Sequence, residues 1–350
     1  MAVAKKLACR NHESSTHLAI TRFRTGKKRF YYRYASGRKV SGGRTLKRIA
    51  KLVIPPKWEH VQISKDARAC IQVIGSDEKG RRQYIYHPNW HAHQQALKFE
   101  RLCEFGKRLS DFRRKCVALV DKPGWAQGKA CALVCLLLDS TGARIGNTQY
   151  SKTNNTYGLS TLRRKHFSTN DDDTVSFQFT GKHGKQRELT IDDPSLVTLV
   201  SECAEQPGYC LFRYQEDGGR WQDITSEDIN HFIHENLGDE FSCKDFRTWS
   251  ACRHALMKLP DVYGEIQRSR NKKWESTLSK SVSESLGNTP NICRKYYIHP
   301  NLFTKLNDAE SAEKLIDQVA SLSSEKYDNN ELFERFERLL LSVISSECNK

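Results

Sequence analysis

The spacing of apolar residues changes once along this chain, and that change divides it in two. Before NWHAHQQ the apolar residues come in short, roughly alternating runs. FYYRYASGRKV reads as aromatic strand, Ser-Gly turn and more strand. VQI continues the pattern, and CIQVI and RQYIY flank a turn at SDEKG as a β-hairpin. Between them TLKRIAKLVI has the spacing of a short helix, which IPPKW ends because proline cannot continue it. After NWHAHQQ the spacing lengthens to three and four. ALKFERLCEFGKRLSDFRRKCVALV reads as a long amphipathic helix, and QGKACALVCLLLDST as a more buried one. Helical spacing then runs to the end with one interruption, TVSFQFTGKHGKQRELTI, which alternates, turns at GKHG and alternates again. The expected fold class is therefore α+β. A small, mainly β domain covers 1–92, and a larger, mainly α domain with an inserted β-hairpin covers 93–350. Residues 1–29 show no period and are expected to form a flexible arm.

Charge follows the same division. Of 57 Lys+Arg and 41 Asp+Glu, the first hundred residues hold 22 and 6, so the whole excess of +16 lies there. A segment that basic attracts polyanions, and nucleic acid is the expected partner. No long basic amphipathic helix suggests a membrane surface. The longest apolar run, ALVCLLL, is too short to cross a bilayer. The twelve cysteines are scattered from Cys9 to Cys348 without a CxxC pair, and MAVAKKLACR lacks the apolar core of a leader. A reduced, intracellular chain is expected. HAH (91–93) and HFIH (231–234) lack partners at zinc-site spacing, so no metal and no cofactor is expected.

The stretch NTPNICRKYYIHP (288–300) carries two adjacent tyrosines behind a basic pair. Asn288 or Thr289 suits a helix cap and Pro290 its first position. Ile292 and Tyr296 then share one face, which predicts Tyr296 as a packing residue. Tyr297, with Cys293, falls on the face free for chemistry. Two plain surface tyrosines would satisfy the same pattern. A tyrosine oxygen can attack a phosphodiester if cations hold the phosphate and an acid protonates the leaving oxygen. Arg144 in GARIGNTQY, Lys182 at the tip of FTGKHGK, and Arg247 between apolar residues in KDFRTWSACRHAL stand in suitable settings, though each also fits a structural ion pair.

Six stretches in order resemble the small type IB DNA topoisomerases of poxviruses and many bacteria: IPPKWEHVQI, GSDEKGRRQYIYHP, RIGNTQYSKTNNTYGLSTLRRKHF, FQFTGKHGK, KDFRTW and LGNTPNICRKYYIHP. They run from about residue 30 to 303. The resemblance implies a mainly β domain and a mainly α catalytic domain that close on duplex DNA as a C-shaped clamp. It implies relaxation of supercoils through a 3′-phosphotyrosyl intermediate and religation, without ATP or metal. By position it makes Tyr297 the nucleophile, Arg144 and Arg247 the phosphate-binding arginines, and Lys182 the general acid. Asn288 stands where members carry His or Asn. An amide there can donate to a phosphate oxygen but adds no charge. Arg82, Gln83, Tyr84 and Tyr86 fall on the part that the family sets against DNA. Two positions depart from the pattern: Tyr296 replaces a small residue, and Thr148 an acidic one. The implied protein is a monomer without an obligate protein partner. Its expected location is cytoplasmic, nucleoid-associated in a bacterium or virion-associated in a virus.

Two other readings fit the sequence less well. A tyrosine recombinase usually has a histidine three residues before the second arginine, where this chain has Lys244 followed by Asp245. A catalytically silent architectural DNA-binding protein fits the charge but not the joint retention of Arg144, Lys182, Arg247 and Tyr297. TGKHGK lacks the glycine spacing and following Ser/Thr of a phosphate-binding NTPase loop.

Overall fold

Side chains two apart on a strand fall on one face, and in the N-terminal part five strands use this to bury a single layer of apolar residues. The computed structural model describes residues 18–26, 29–269, 271–324 and 329–345, which divide into two compact units between Phe99 and Glu100. Strands β1 (Ile20–Arg24), β2 (Phe30–Tyr34), β3 (Glu59–Ile63), β4 (Ile71–Ser76) and β5 (Arg82–Tyr86) form one antiparallel sheet in the order β2-β1-β3-β4-β5. Ile20 lies opposite Ile63, Ile63 opposite Val73, and Val73 opposite Ile85. With Val40, Val61 and Ile49 of helix α1 (Gly43–Lys51) they make the core of this unit.

Two expectations fail here. The arm expected over 1–29 contributes β1, which pairs with both β2 and β3. The part up to residue 17, and residues 27 and 28, lie outside the described residues. ITRFR hid its nature because it brings only one core side chain, Ile20, and its arginines have structural uses. Arg22 donates to the Pro55 and Trp58 carbonyls and Arg24 to that of Pro56, so they hold the IPPKW loop. The strand expected after the Ser-Gly turn is reduced to one bridge, Arg33 to Lys39.

Helix α2 (Pro88–Val120) crosses the division between the units. The larger unit continues with α3 (Gln127–Thr141), α4 (Thr148–Asn154), α5 (Pro194–Glu205), α6 (Ser226–Asn236), α7 (Cys243–Met257), α8 (Leu259–Gln267) and α9 (Trp274–Leu286). Then come α10 (Pro290–Tyr296), α11 (Pro300–Leu306), α12 (Ala309–Ser324) and α13 (Asn329–Ile344). Helix α3 is apolar on all sides because it is buried on all sides, from Ala130 through Leu138 but for Leu136. Strands β6 (Phe167–Thr169), β7 (Val175–Thr180) and β8 (Gln186–Ile191) form an antiparallel sheet in that order. A further pair, β9 (Arg213–Gln215) with β10 (Trp221–Asp223), interrupts the helices. Neither β6 nor this pair was expected, since three-residue strands are too short to show a period. Among the described residues no helix is long and apolar enough to cross a membrane, and no three His, Cys, Asp or Glu side chains gather as metal ligands.

Helix α7 packs at the centre of the larger unit. Its Trp249 ring lies where Gly106 of α2 has no side chain; a Cβ there would sit 2.1 Å from the ring. One side of α7 enters a buried ionic network. Arg253 reaches Asp139 at 3.2 Å and Glu337 at 2.8 Å, and Arg113 grips Glu337 with two bonds of 2.9 and 2.7 Å. The Trp249 indole also donates to Glu337 at 2.8 Å. Burial works to raise the Asp139 pKa, but Arg113 and Arg253 outweigh it and hold the carboxyl below its usual value. Removing one member of such a network leaves a buried charge uncompensated. Glu337→Ala is predicted to cost about 3–5 kcal/mol, measured by urea unfolding; a loss below about 1 kcal/mol would show that the network does not anchor α13.

His254 sits beside that network, and burial first, then Arg253 and Lys258, push its pKa down to about 4. Because the folded-state value lies below the ordinary 6.5, the associated stability is intact above pH 6.5 and is lost as pH falls towards 4. The predicted loss is on the order of 2–3 kcal/mol by pH 4. His254→Gln should therefore gain on the unaltered protein as pH falls from 7 to 4 in paired thermal melts. Parallel pH profiles for the two proteins would refute this.

Candidate active site

Helix α10 starts as its sequence demands. The Thr289 hydroxyl accepts from the Ile292 N–H, and Pro290 occupies the first turn where no N–H is needed. It ends at Tyr296. Tyr297 takes the cap position, its N–H bonded to the Cys293 carbonyl at 3.0 Å, and α11 restarts at Pro300 with His299 as cap.

The packed and free faces of α10 are the reverse of those expected from the sequence. Ile292 is 39% exposed while Cys293 is fully buried, so the Cys293 face is the packed one and Ile292 anchors nothing. Seven residues give too little pattern to tell the two faces apart. Tyr297 nevertheless lies against the candidate arginines, because the packed face is where they are. The Arg247 guanidinium lies 5.5 Å from the centre of the Tyr297 ring and hydrogen-bonds the Tyr297 side chain. The Cys252 thiol of α7 donates to the Tyr297 carbonyl at 3.2 Å, which fixes the backbone there. Tyr296 is half-buried too, with Lys295 Nζ 5.3 Å above its ring.

Arg247 is only 5% exposed. Its two terminal nitrogens donate to the Gly142 carbonyl, just past α3, and to the Leu286 carbonyl, the last of α9. Its Nε is buried without a partner. Burial first, then Arg144, push its pKa down to about 10. Arg144 leaves α3 through Gly142, whose φ of 60° a residue with a side chain would resist and whose Cβ would strike Ser250. Arg144 donates to Asn288 Oδ1. Burial lowers its pKa, and Tyr297 and Cys293 act in the opposite sense. The Asn288 Nδ2 is buried and finds no oxygen acceptor. Beside it, burial raises the Cys293 thiol pKa against the pull of Asn288 and both arginines.

The irregular segment RIGN is clamped by the following YGLS. A Cβ on Gly158 would lie 2.4 Å from the Arg144 carbonyl, so only glycine allows Leu159 and Ser160 to donate to the carbonyls of Arg144 and Ile145. Thr148, where an acidic residue was expected to matter, opens α4 behind the Asn147 cap.

Four of the five expected residues thus come together: Arg144, Arg247, Asn288 and Tyr297. Lys182 does not join them. It stands exposed in the short turn Lys182–Gly184 between β7 and β8, and no described residue hydrogen-bonds it. The turn is tied to the site beside it, since Lys185 Nζ donates to the Asn288 carbonyl at 3.3 Å.

One cation was missed. Arg187 of β8 donates to the Ser285 carbonyl at 2.7 Å, and its guanidinium fills the space over Gly287. QRELTI carried the signal: Arg187 alternates with Leu189 and Ile191, on the inward side. Among the described residues no carboxylate pairs with Arg144, Arg187 or Arg247.

In the smaller unit, Arg82, Tyr84 and Tyr86 share one face of β5. Arg82 lies 5.5 Å from the Tyr84 ring, Tyr84 stacks on Tyr86 at 5.8 Å, and Tyr86 on Trp90 at 4.3 Å. Gln83 points to the other face, where it donates to Asp77 at 3.0 Å. The structure does not bring it to the aromatic row, because strand neighbours alternate.

A half-buried tyrosine side chain beside guanidiniums that no described carboxylate pairs suits the transfer of a phosphoryl group. Comparison with known sequences gives the family. Residues 87–327 match the family described as eukaryotic DNA topoisomerase I, catalytic core, and residues 29–77 match the bacterial DNA topoisomerase IB N-terminal domain. The DNA topoisomerase 1B of Acanthamoeba polyphaga mimivirus is 30% identical over 274 residues, 77% of this chain and 80% of the viral protein. That of vaccinia virus, strain Copenhagen, is 25% identical over 267 residues, 71% and 76% of the two chains. The DNA topoisomerase I of monkeypox virus is 25% identical over 266 residues. With a catalytic-core match over most of its length and a viral relative aligned across four-fifths of its own, this chain belongs to the type IB DNA topoisomerases.

Proposed function

We propose that this enzyme relaxes supercoiled duplex DNA by cutting one strand, letting it swivel and resealing it, without ATP or metal. The observation that carries the reading is the packing of Tyr297 against Arg247, with Arg144 close enough to act on it electrostatically; among the described residues no carboxylate pairs with either guanidinium.

Arg144, Arg247 and Asn288 hold the non-bridging oxygens of the scissile phosphate. Arg247 has an unused Nε–H and Asn288 an unused Nδ2 donor, so both have capacity for an anion. The Tyr297 oxygen attacks phosphorus, its phenolic proton passing to solvent, and the bond from phosphorus to the 5′-oxygen breaks. Lys182 gives that oxygen a proton as it leaves. The product is a 3′-phosphotyrosyl ester and a free 5′-hydroxyl. One ester replaces another, so the bond energy is conserved and ATP is not needed for resealing. Fixed guanidiniums supply the charge stabilisation that a metal ion supplies elsewhere. Reaching the 5′-oxygen requires Lys182 to approach when DNA binds, and its place on a β-turn suits such a movement. The Arg82, Tyr84 and Tyr86 face serves as a DNA contact, with Gln83 in support of the turn through Asp77. The family's clamp on duplex DNA, a monomeric enzyme and a location beside intracellular or virion DNA complete the reading.

Relaxation of negatively and positively supercoiled plasmid, with EDTA and no ATP, tests it. Tyr297→Phe should lose activity on the order of a thousandfold or more yet still bind DNA, while Tyr296→Phe stays active. A folded, DNA-binding unaltered protein that relaxes neither sign would defeat the reading. Arg247→Lys keeps the charge but cannot span two carbonyls and a phosphate, so strand cleavage should slow about a hundredfold. Cleavage at the original rate would remove Arg247 from the phosphate.

A further inference from the structure

Four cations are anchored on three residues of the short stretch Ser285–Asn288. Ser285 accepts from Arg187, Leu286 from Arg247, and Asn288 takes Arg144 on its side chain and Lys185 on its carbonyl. Arg144 and Arg247 have roles in the proposed reaction; Arg187 and Lys185 have none. Yet a guanidinium carries five N–H donors and Arg187 shows one bond. The neighbouring glycine is shaped for it. Gly287 has a φ of 62°, and a Cβ there would lie 2.3 Å from an Arg187 nitrogen. Gly181, at the other end of the side chain, would place a Cβ 2.8 Å from Arg187 Cγ. Burial and the nearby Arg144 both lower the Arg187 pKa, and Arg187 in turn lowers that of Arg247. Like charges held this close, without a carboxylate, are relieved by a bound anion.

We infer that Arg187 is a further phosphate-binding residue, which holds the backbone phosphate next to the scissile one on the cleaved strand. The inference rests on the proposed DNA reaction. Arg187 acts beside Arg247 rather than on the reacting atoms, and by fixing the adjacent phosphate it aligns the scissile one for attack. A purely structural use would be to tie β8 to the end of α9 through Ser285.

Arg187→Gln separates the two uses, because a glutamine amide can still donate to the Ser285 carbonyl but carries no charge. The measurement is fluorescence anisotropy of the full chain with a labelled random-sequence duplex across a salt series, on the variant and on Arg187→Lys. The expected result for Arg187→Gln is roughly tenfold weaker binding and a plot of log K against log salt shallower by about 0.9, with Arg187→Lys keeping the original slope. An unchanged slope in a folded Arg187→Gln would overturn the inference while leaving the DNA reaction intact. Failure of the unaltered protein to bind the duplex would instead overturn both. Should Arg187→Gln not fold, a crystal structure of the unaltered protein on a duplex decides. Arg187 should then lie within hydrogen-bond reach of the phosphate next to the one facing Arg247. Arg187 bonded to Ser285 alone would contradict it.

Discussion

The backbone carbonyls at the ends of two helices hold this site together. Helix C-termini leave carbonyls without intrahelical partners and carry partial negative charge. Here those of Ser285 and Leu286 in α9, and that of Gly142 beyond α3, receive Arg187 and Arg247. A carboxylate would position a guanidinium as firmly, but it would also cancel the charge. Carbonyls position it and leave nearly all of the charge available. The glycines follow from this choice: Gly142 and Gly287 turn the chain at the helix ends in the left-handed region, and Gly287 has no side chain to occupy the space that Arg187 fills.

Helix α7 shows both fates of a buried arginine. Arg247 faces the carbonyls and stays uncompensated. Arg253, six residues on, enters a network in which Arg113 and Arg253 face Asp139 and Glu337, two charges against two. The first arrangement is unstable without an anion and suits binding; the second is self-contained and suits support. Glu337 belongs to α13, beyond the end of the catalytic-core match at residue 327. A segment outside the recognised core therefore secures the helix that presents Arg247.

Much of this was legible in the sequence, for identifiable reasons. The change of hydrophobic spacing separated a sheet unit from a helical one because the buried layer of each is regular. Helix α3 was read to its ends because every turn is apolar. What lacked regularity escaped: β1 with its single core residue, the three-residue strands β6, β9 and β10, and the packed face of the seven-residue α10. Tyr297 was selected by a mistaken argument about that face and independently by the family resemblance. The geometry that sets it against Arg247 has a different cause, the burial of Cys293. Gln83 was grouped with Tyr84 and Tyr86 by adjacency, which in a strand means the opposite face. Arg187 was visible as a charge on the apolar side of an alternating strand.

In the proposed reaction the Tyr297 oxygen takes over the broken phosphodiester bond. The direct measurement is mass spectrometry of the covalent adduct formed on a nicked duplex whose cleaved fragment cannot be religated. Trypsin would release Tyr296–Lys305, which contains both tyrosines, and fragmentation within that peptide locates the nucleotide. The account predicts it on Tyr297, linked through a 3′-phosphate. A nucleotide on Tyr296, or an active enzyme that forms no adduct on this peptide, would contradict it.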